Sequence, residues 1–275
     1  MSNSLKKLLK RNFFLPIIIV FLVSGCINLF PSSTASNHLL LGNPSQATNN
    51  PSNANNYLIE RPQYVLSYSQ ERGIANWVSW QLNKSWLGSI DRQNDFRADD
   101  DLPQGWDKIT PTDYNNSGYD RGHLAPSADR TNSIANNSAT FLMTNIIPQA
   151  PDNNRGPWSE LEQYGRSLVD QGKELYIIAG GSGKKGLIAK GKLVVPKETW
   201  KIIVVLDQPG AGIQGINANT RVIAVSMPNN QGIKTKNWQS FRVSVDQLEK
   251  ATGYDFLNAI DANIQKSLES KVNTL

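Results

Sequence analysis

Thr140-Phe141-Leu142-Met143-Thr144-Asn145-Ile146-Ile147, closed by Pro148, is followed by Pro157 to Asp170 (PWSELEQYGRSLVD) and then by Leu175-Tyr176-Ile177-Ile178-Ala179. The order of these stretches decides the fold class. The first is a short apolar run stopped by proline and reads as a buried strand. The second reads as a helix, with Pro157 at its first position, Leu161, Tyr164 and Leu168 on one stripe, and Gly172 at the stop. The third is rich in β-branched residues and reads as a central strand, as do Trp200 to Leu206 and Arg221 to Ser226. Upstream, Tyr64 to Tyr68 alternates like a strand, Ala75 to Asn83 fits strand or helix, and the polar Gln93 to Gly118 reads as a long loop. Val245 to Ala251 and Leu257 to Leu268 read as helices. Strands and helices do not alternate regularly, so the expectation is an α+β fold.

Composition narrows the chemistry. The 275-residue chain has a formal net charge of +5, which suggests a polyanionic partner. Four of its 28 basic residues (Lys6, Lys7, Lys10 and Arg11) lie in the first 26 residues, which carry no acid, and the remainder holds 24 basic and 23 acidic residues. Only a local basic patch can therefore argue for such a partner. Cys26 is the single cysteine, so no intramolecular disulfide forms. With only His38 and His123 besides, a zinc site of Cys and His ligands cannot be built, and any metal has to be a hard, oxygen-bound cation: Mg²⁺, Mn²⁺ or Ca²⁺.

Residues 1–26 read as a signal peptide. A basic segment precedes the apolar run Phe13 to Val23, which is too short to span a bilayer comfortably. Val23-Ser24-Gly25-Cys26 resembles a bacterial lipobox, with Cys26 as the lipidated residue; ordinary secretion is the alternative. The protein is thus expected to be exported, either periplasmic and anchored to the outer membrane as a lipoprotein or secreted. Residues 27–56, rich in Ser, Asn and Pro, read as a low-complexity tether or loosely packed arm. Within it Leu39-Leu40-Leu41 is an apolar docking spot and His38 reads as a surface histidine. Residues 57–275 read as one domain, without internal repeat or second linker.

Three short clusters carry candidate chemistry. In Tyr119-Asp120-Arg121-Gly122-His123-Leu124-Ala125-Pro126 a charged pair and a glycine lead into the only histidine of the folded region. An imidazole titrates near neutral pH and suits general-base work; a solvated surface turn is the plain alternative. Thr144-Asn145 with Pro148-Gln149, then Asp152-Asn153-Asn154-Arg155-Gly156, offers neutral amide oxygens of the kind Mg²⁺ accepts while keeping most of its waters. The same residue types also make turns. Glu162 and Arg166 stand four apart on the predicted helix and share a face, either as a surface ion pair or as a carboxylate and a phosphate-gripping guanidinium.

Taken together and in this order, DRGH, TNxxPQ and DNNxxxWxxLExxxR resemble the DNA/RNA non-specific endonuclease family, secreted nucleases with a ββα-metal (His-Me finger) active site. The likeness centres on Tyr119 to Ala179 and extends over Tyr57 to Asp261. It implies a central, mostly antiparallel sheet flanked by helices. It implies His123 as general base, Asn154 as the direct metal ligand and Glu162 as holder of metal-bound water. Arg166 would stabilise charge on the phosphate, Asn145 would support the site around the base, and Arg121 would grip nucleic acid. A further upstream arginine best matches Arg92, with Arg97 as the alternative. The implied reaction is Mg²⁺- or Mn²⁺-assisted hydrolysis of single- and double-stranded DNA and RNA to 5′-phosphate and 3′-hydroxyl ends. Arg92, Arg97, Arg121, Arg130, Arg155 and Arg166 are expected to gather at the cleft. An intracellular protein inhibitor is a further partner to expect, since a premature nuclease is toxic. A non-catalytic exported lipoprotein that binds polyanions is the alternative function.

Asn154 and Glu162 pose a geometric problem. Eight helical residues would separate them by about 12 Å, too far to ligate one ion together. Either Asn154 precedes the helix proper, as Gly156-Pro157 suggests, or Glu162 acts through water.

Overall fold

A computed structural model describes residues 37–273. The strands are β1 (Tyr57–Glu60), β2 (Val65–Ser69), β3 (Ile74–Leu82), β4 (Asp120–His123), β5 (Ile146–Gln149), β6 (Glu174–Ser182), β7 (Gly186–Ile188), β8 (Leu193–Val195), β9 (Glu198–Leu206), β10 (Arg221–Pro228) and β11 (Arg242–Val243). The helices are α1 (Ile134–Ala139), the single turn α2 (Pro151–Asn153), α3 (Ser159–Asp170), α4 (Val245–Thr252) and α5 (Ala262–Glu269).

Seven strands form one sheet in the order β1-β2-β3-β6-β9-β10-β11, antiparallel at every pairing. Side chains alternate cleanly between its two faces. Leu175, Ile177 and Ala179 of β6 with Ile203 and Val205 of β9 enter one core, and Tyr176, Ile178, Ile202 and Val204 enter the other. Both faces are covered, which is why these strands are nearly continuous apolar runs. The first face packs against α3 through Leu161, Leu168 and Val169, and against Ile146, Ile147 and Leu124 of the β4–β5 region. The second face packs against Val245 and Leu248 of α4, Leu268 of α5, and Phe256, Leu257 and Leu41. The α+β fold with a mostly antiparallel central sheet is the one expected.

The run 140–147 differs from the expected strand. Thr140 closes α1, Met143–Asn145 form a tight turn, and only Ile146 and Ile147 belong to β5. The cause is side-chain chemistry that apolar patterning does not register: Thr140 Oγ1 donates to the Asn137 carbonyl, and Asn145 Nδ2 donates to the Thr140 carbonyl at 2.8 Å. β5 then runs on through Pro148 and Gln149. A proline is tolerated there because β5 pairs with β4 alone.

The expected helix from Pro157 is α3, starting two residues later. Gly156 has non-helical angles (φ −115°, ψ −118°) and separates the Asn154 turn from α3. A Cβ at Gly156 would meet the Lys234 backbone at 2.6 Å, so the break lies against a neighbouring chain segment.

Residues 37–56, expected as a tether or loose arm, lie against the domain as a series of turns. Leu41 and Ala47 are buried and Thr48 bridges to Tyr57. His38, expected at the surface, is 5% exposed. Its Nε2 lies 2.8 Å from the Pro62 carbonyl, and its Nδ1 accepts from the Gln81 amide at 3.1 Å. Among the described residues no helix is long and apolar enough to cross a membrane. The signal peptide, the lipobox and Cys26 lie outside the described residues.

Candidate active site

The site is built on the first face of the sheet, where the β4–β5 hairpin meets α3. β4 carries Asp120, Arg121, Gly122 and His123 and pairs with β5 in the register Asp120↔Gln149 to His123↔Ile146. Gly122 is required by close approach: a Cβ there would collide with Oε1 and Cβ of Gln149.

His123 ends β4 in an apolar box. Its ring lies 5.4 Å from the Phe96 ring and 4.9 Å from the Phe141 ring, the latter edge-on. The Trp158 indole donates to its carbonyl at 3.3 Å. Nε2 is buried without a hydrogen-bond partner. Burial foremost, then the positive charges of Arg92 and Arg121, lowers the His123 pKa to about 3. The imidazole is therefore neutral at any physiological pH.

Asn145 is wholly buried and binds the chain that leaves His123. Its Oδ1 accepts from the Ala125 amide at 3.0 Å, its Nδ2 donates to the carbonyls of Ala125 and Thr140 at 2.8 Å, and its own carbonyl accepts from the Leu124 amide. With its side chain consumed in this way, Asn145 holds the segment that follows β4. Thr144 beside it donates to Asp99 Oδ2 at 2.6 Å, and Asp99 is paired with Arg61, so the long loop is tethered to the same turn.

That loop delivers Arg92 and Phe96. Backbone bonds from Arg97 N to Phe141 O and from Met143 N to Arg97 O pin it. The Arg92 guanidinium stacks on Phe141 at 4.8 Å, and its Nη1 donates to Ser127 Oγ at 2.7 Å. It faces both His123 and Glu162 electrostatically. Arg97 instead bonds Asp95 and the Ser138 carbonyl. Of the two upstream arginines, Arg92 is the one beside His123.

Asn154 lies before the break at Gly156 and Glu162 after it, so the two do not share one straight helix. Asn154 Nδ2 donates to Asp120 Oδ2 at 2.9 Å, which leaves its carbonyl oxygen available. Arg155 clamps the same carboxylate with two bonds of 2.8 and 2.6 Å. Asp120 thereby ties the Asn154 turn to the strand that carries His123. A cleft of about 510 Å³ is lined by Arg92, Phe96, Tyr114, Asp120, Arg121 and Asn154 among others. Arg121 stacks on Phe96 at 4.4 Å and is exposed.

Glu162 and Arg166 do not pair with each other. Glu162 Oε1 lies 3.3 Å from Lys201 Nζ of β9, and Arg166 Nη1 lies 2.9 Å from Asp129 Oδ1. Lys201 is 2% exposed, between the indoles of Trp158 (4.1 Å) and Trp80 (5.5 Å). Asp129 also accepts from Trp80 Nε1 at 3.0 Å. Burial raises the Glu162 pKa and lowers that of Lys201, and the attraction between them opposes both shifts.

Of the six arginines expected at the cleft, Arg130 is a correction. It is wholly buried, donates to the carbonyls of Gln63, Gln81 and Asp129, and stacks on Trp86 at 4.1 Å. Arg97 and Arg166 likewise do not line the cleft, and Arg92, Arg121 and Arg155 do. Lys201 and Asp129 are residues that sequence reasoning missed, and Asp120 enters it only as part of DRGH, without its bonds to Asn154 and Arg155. Lys201 had a signal: a lone charge inside the apolar strand Trp200 to Leu206.

The arrangement is that of a phosphoryl-transfer hydrolase: a neutral histidine on a β-hairpin, an amide oxygen on the following turn, and a carboxylate and guanidinium on the next helix. Residues 41–263 match the family described as DNA/RNA non-specific endonuclease. The chain belongs to this family and is an endonuclease. It is 59% identical over 242 residues to a protein named nuclease from Nostoc sp. (strain PCC 7120 / SAG 25.82 / UTEX 2576), covering 88% of each chain. It is 33% identical over 214 residues to mitochondrial endonuclease G of Homo sapiens, covering 73% of this chain and 69% of that protein. Its fold is similar to that of a crystal structure of an EndoG/EndoGI complex, with a TM-score of 0.68 and 23% identity over 84% of this chain and 95% of the other.

Proposed function

We propose that this endonuclease hydrolyses phosphodiester bonds of DNA and RNA, single- and double-stranded, to 5′-phosphate and 3′-hydroxyl ends, with His123 as general base and a divalent metal at Asn154. The observation that carries this reading is the convergence on β4: His123 closes the strand, and Asp120 at its start holds the Asn154 amide at 2.9 Å.

The donor set fits a hard cation. Asn154 offers a neutral oxygen, with its nitrogen committed to Asp120. Such a ligand leaves most coordination positions to water and substrate phosphate, which suits Mg²⁺, with Mn²⁺ as a substitute. Bound there, the ion supplies Lewis acidity and neutralises charge on the phosphate.

His123, held neutral by its phenyl box, takes a proton from a water molecule. Its Nε2 is buried away from solvent, which leaves Nδ1 as the ring nitrogen to meet that water. The water oxygen then attacks phosphorus in line, the P–O3′ bond breaks, and the departing 3′ oxygen takes a proton from solvent to become the 3′-hydroxyl. Arg92 has its charge directed into the cleft by Ser127 and Phe141. Arg166 spends one N–H on Asp129 and keeps the others for a phosphate oxygen. Both supply fixed positive charge where the transition state gains negative charge. Glu162, oriented by Lys201, accepts hydrogen bonds from water at the metal-binding turn. Arg121 grips the sugar–phosphate backbone, and contacts of that kind carry no direct base information.

Export, with Cys26 lipidated or the protein freely secreted, belongs to the same proposal, and so does an intracellular protein inhibitor. The similar EndoG/EndoGI complex is one in which EndoG is inhibited, which supports a partner of that kind. Supercoiled-plasmid nicking with Mg²⁺ and with EDTA tests the reading. Metal-dependent nicking, lost in Asn154→Ala, is the expected result. Undiminished nicking in EDTA would overturn the metal assignment.

A further inference from the structure

The β7–β8 hairpin and its flanks carry Lys184, Lys185, Lys190, Lys192 and Lys197, with no acidic residue between Gly183 and Lys197. All five are exposed. Two have partners: Lys185 Nζ bonds Asn229 O and Asn230 Oδ1, and Lys192 lies 3.6 Å from Asp107. Among the described residues Lys184, Lys190 and Lys197 have no ion-pair partner.

This basic hairpin is fixed to the site. β8 packs against β5, the partner strand of β4. Wholly buried Asn229 bonds the Pro148 carbonyl and the Ala150 amide on one side, and on the other the Pro196 carbonyl at 2.9 Å. One side chain thus joins the end of β5, the entry to the Asn154 turn and the exit of the hairpin. The cleft beside Asn154 and a second groove, lined by Asn115, Asn116, Lys190 and Lys192 among others, share Asn115 and Asn116 as common wall. A polar path therefore leads from the cleft, over the 111–117 turn, to Lys190 and Lys192 of the hairpin.

We propose that this hairpin is a second contact surface for the nucleic-acid substrate, gripping phosphates several nucleotides from the scissile bond. Unpaired lysines on a rigid mount bind a polyanionic backbone by releasing its counterions, and each phosphate neutralised steepens the salt dependence of binding. Outside residues 1–26 the chain is nearly charge-balanced, so such a concentration of one sign gives binding a local origin that net charge does not provide.

The proposal rests on the nuclease reading, and its test separates the two. The triple variant Lys184→Ser/Lys190→Ser/Lys197→Ser is compared with wild type on a defined duplex of about thirty base pairs and on bis(p-nitrophenyl) phosphate. On the duplex, KM should rise about tenfold near 0.1 M salt, and the slope of log KM against log salt should become shallower by about 2–3. The maximal rate, and hydrolysis of the small diester, should stay within about twofold. A triple Lys→Arg variant should behave like wild type. If KM and slope on the duplex are unchanged, or if small-diester hydrolysis falls in parallel, the hairpin proposal is overturned. Loss of binding to anionic vesicles with an unchanged duplex slope would assign the surface to membranes and overturn it as well. Failure of the wild-type protein to cleave either substrate would instead overturn the nuclease reading.

Discussion

Lys201, buried in the middle of β9, places its Nζ 3.3 Å from Oε1 of Glu162 on α3. The ammonium is held between the indole of Trp80 on β3 and that of Trp158 at the start of α3, so sheet and helix together set its position. Glu162 is thereby fixed through one of its oxygens. On the proposed reading, Lys201 is a positioning residue that acts through Glu162.

Lys201→Met should lower kcat about 10–100-fold, the scale seen when a partner behind a functional group is removed. KM should change little. In a Glu162→Gln background the same substitution should have almost no further effect on kcat, because there is no carboxylate left to orient. Additive losses in the double variant, measured by steady-state kinetics, would show that Lys201 does not work through Glu162.

Arg130 should matter to stability rather than to catalysis. Arg130→Met strands the buried carbonyls of Gln63, Gln81 and Asp129 that now receive its N–H groups. The expected cost is about 3–5 kcal/mol in denaturant unfolding. The refolded fraction should keep its kcat. A large kcat defect in a fully folded variant would contradict this placement.

Two histidines give the protein an acid weakness. Burial foremost lowers the pKa of His123 to about 3 and of His38 to about 4, from 6.5 for the free group. Between the two limits the unfolded chain binds protons that the native chain refuses. Stability from these groups is complete above pH 6.5 and is lost as pH falls through that window. His38→Gln should therefore show a smaller loss of unfolding free energy between about pH 7.5 and about pH 5 than wild type does, even if less stable at the higher pH. An equal loss in both proteins would exclude His38 as a source.

Gly122 is the tightest point of the hairpin. Gly122→Ala drives a methyl group into the Gln149 side chain, which is buried and bonded to Asn153. Overpacking of this kind costs about 1–3 kcal/mol. Because the displaced strand carries His123, activity should fall further than stability. Wild-type turnover in the alanine variant would mean that the strand adjusts at no cost to the site.

Much of this was legible in residue order. The apolar runs of β6, β9 and β10 mark central strands because both sheet faces are covered, and DRGH, Asn154, Glu162 and Arg166 stand in one characteristic succession. What stayed hidden has a common cause: polar side chains bonding to distant backbone. Asn145 folds 140–147 into a turn by reaching Ala125 and Thr140, and Arg130 leaves the expected cleft for three core carbonyls. His38, in a stretch with little periodicity, is buried with its Nε2 at the Pro62 carbonyl and its Nδ1 accepting from the Gln81 amide. Apart from Asp129, which neighbours Arg130, none of these partners is adjacent in sequence, so no local pattern announces them. The assignment of the cleft arginine to Arg92 over Arg97 needed the ring of Phe141 beneath it.

The central claim is that the neutral imidazole of His123 takes the proton from the attacking water. The most direct measurement is the single-turnover cleavage rate of His123→Ala at saturating enzyme, with duplex affinity measured separately. The account predicts a fall of about 100-fold or more in rate, the range assigned to general acid–base catalysis and above, with affinity within a few-fold of wild type. Cleavage at close to the wild-type rate would contradict it.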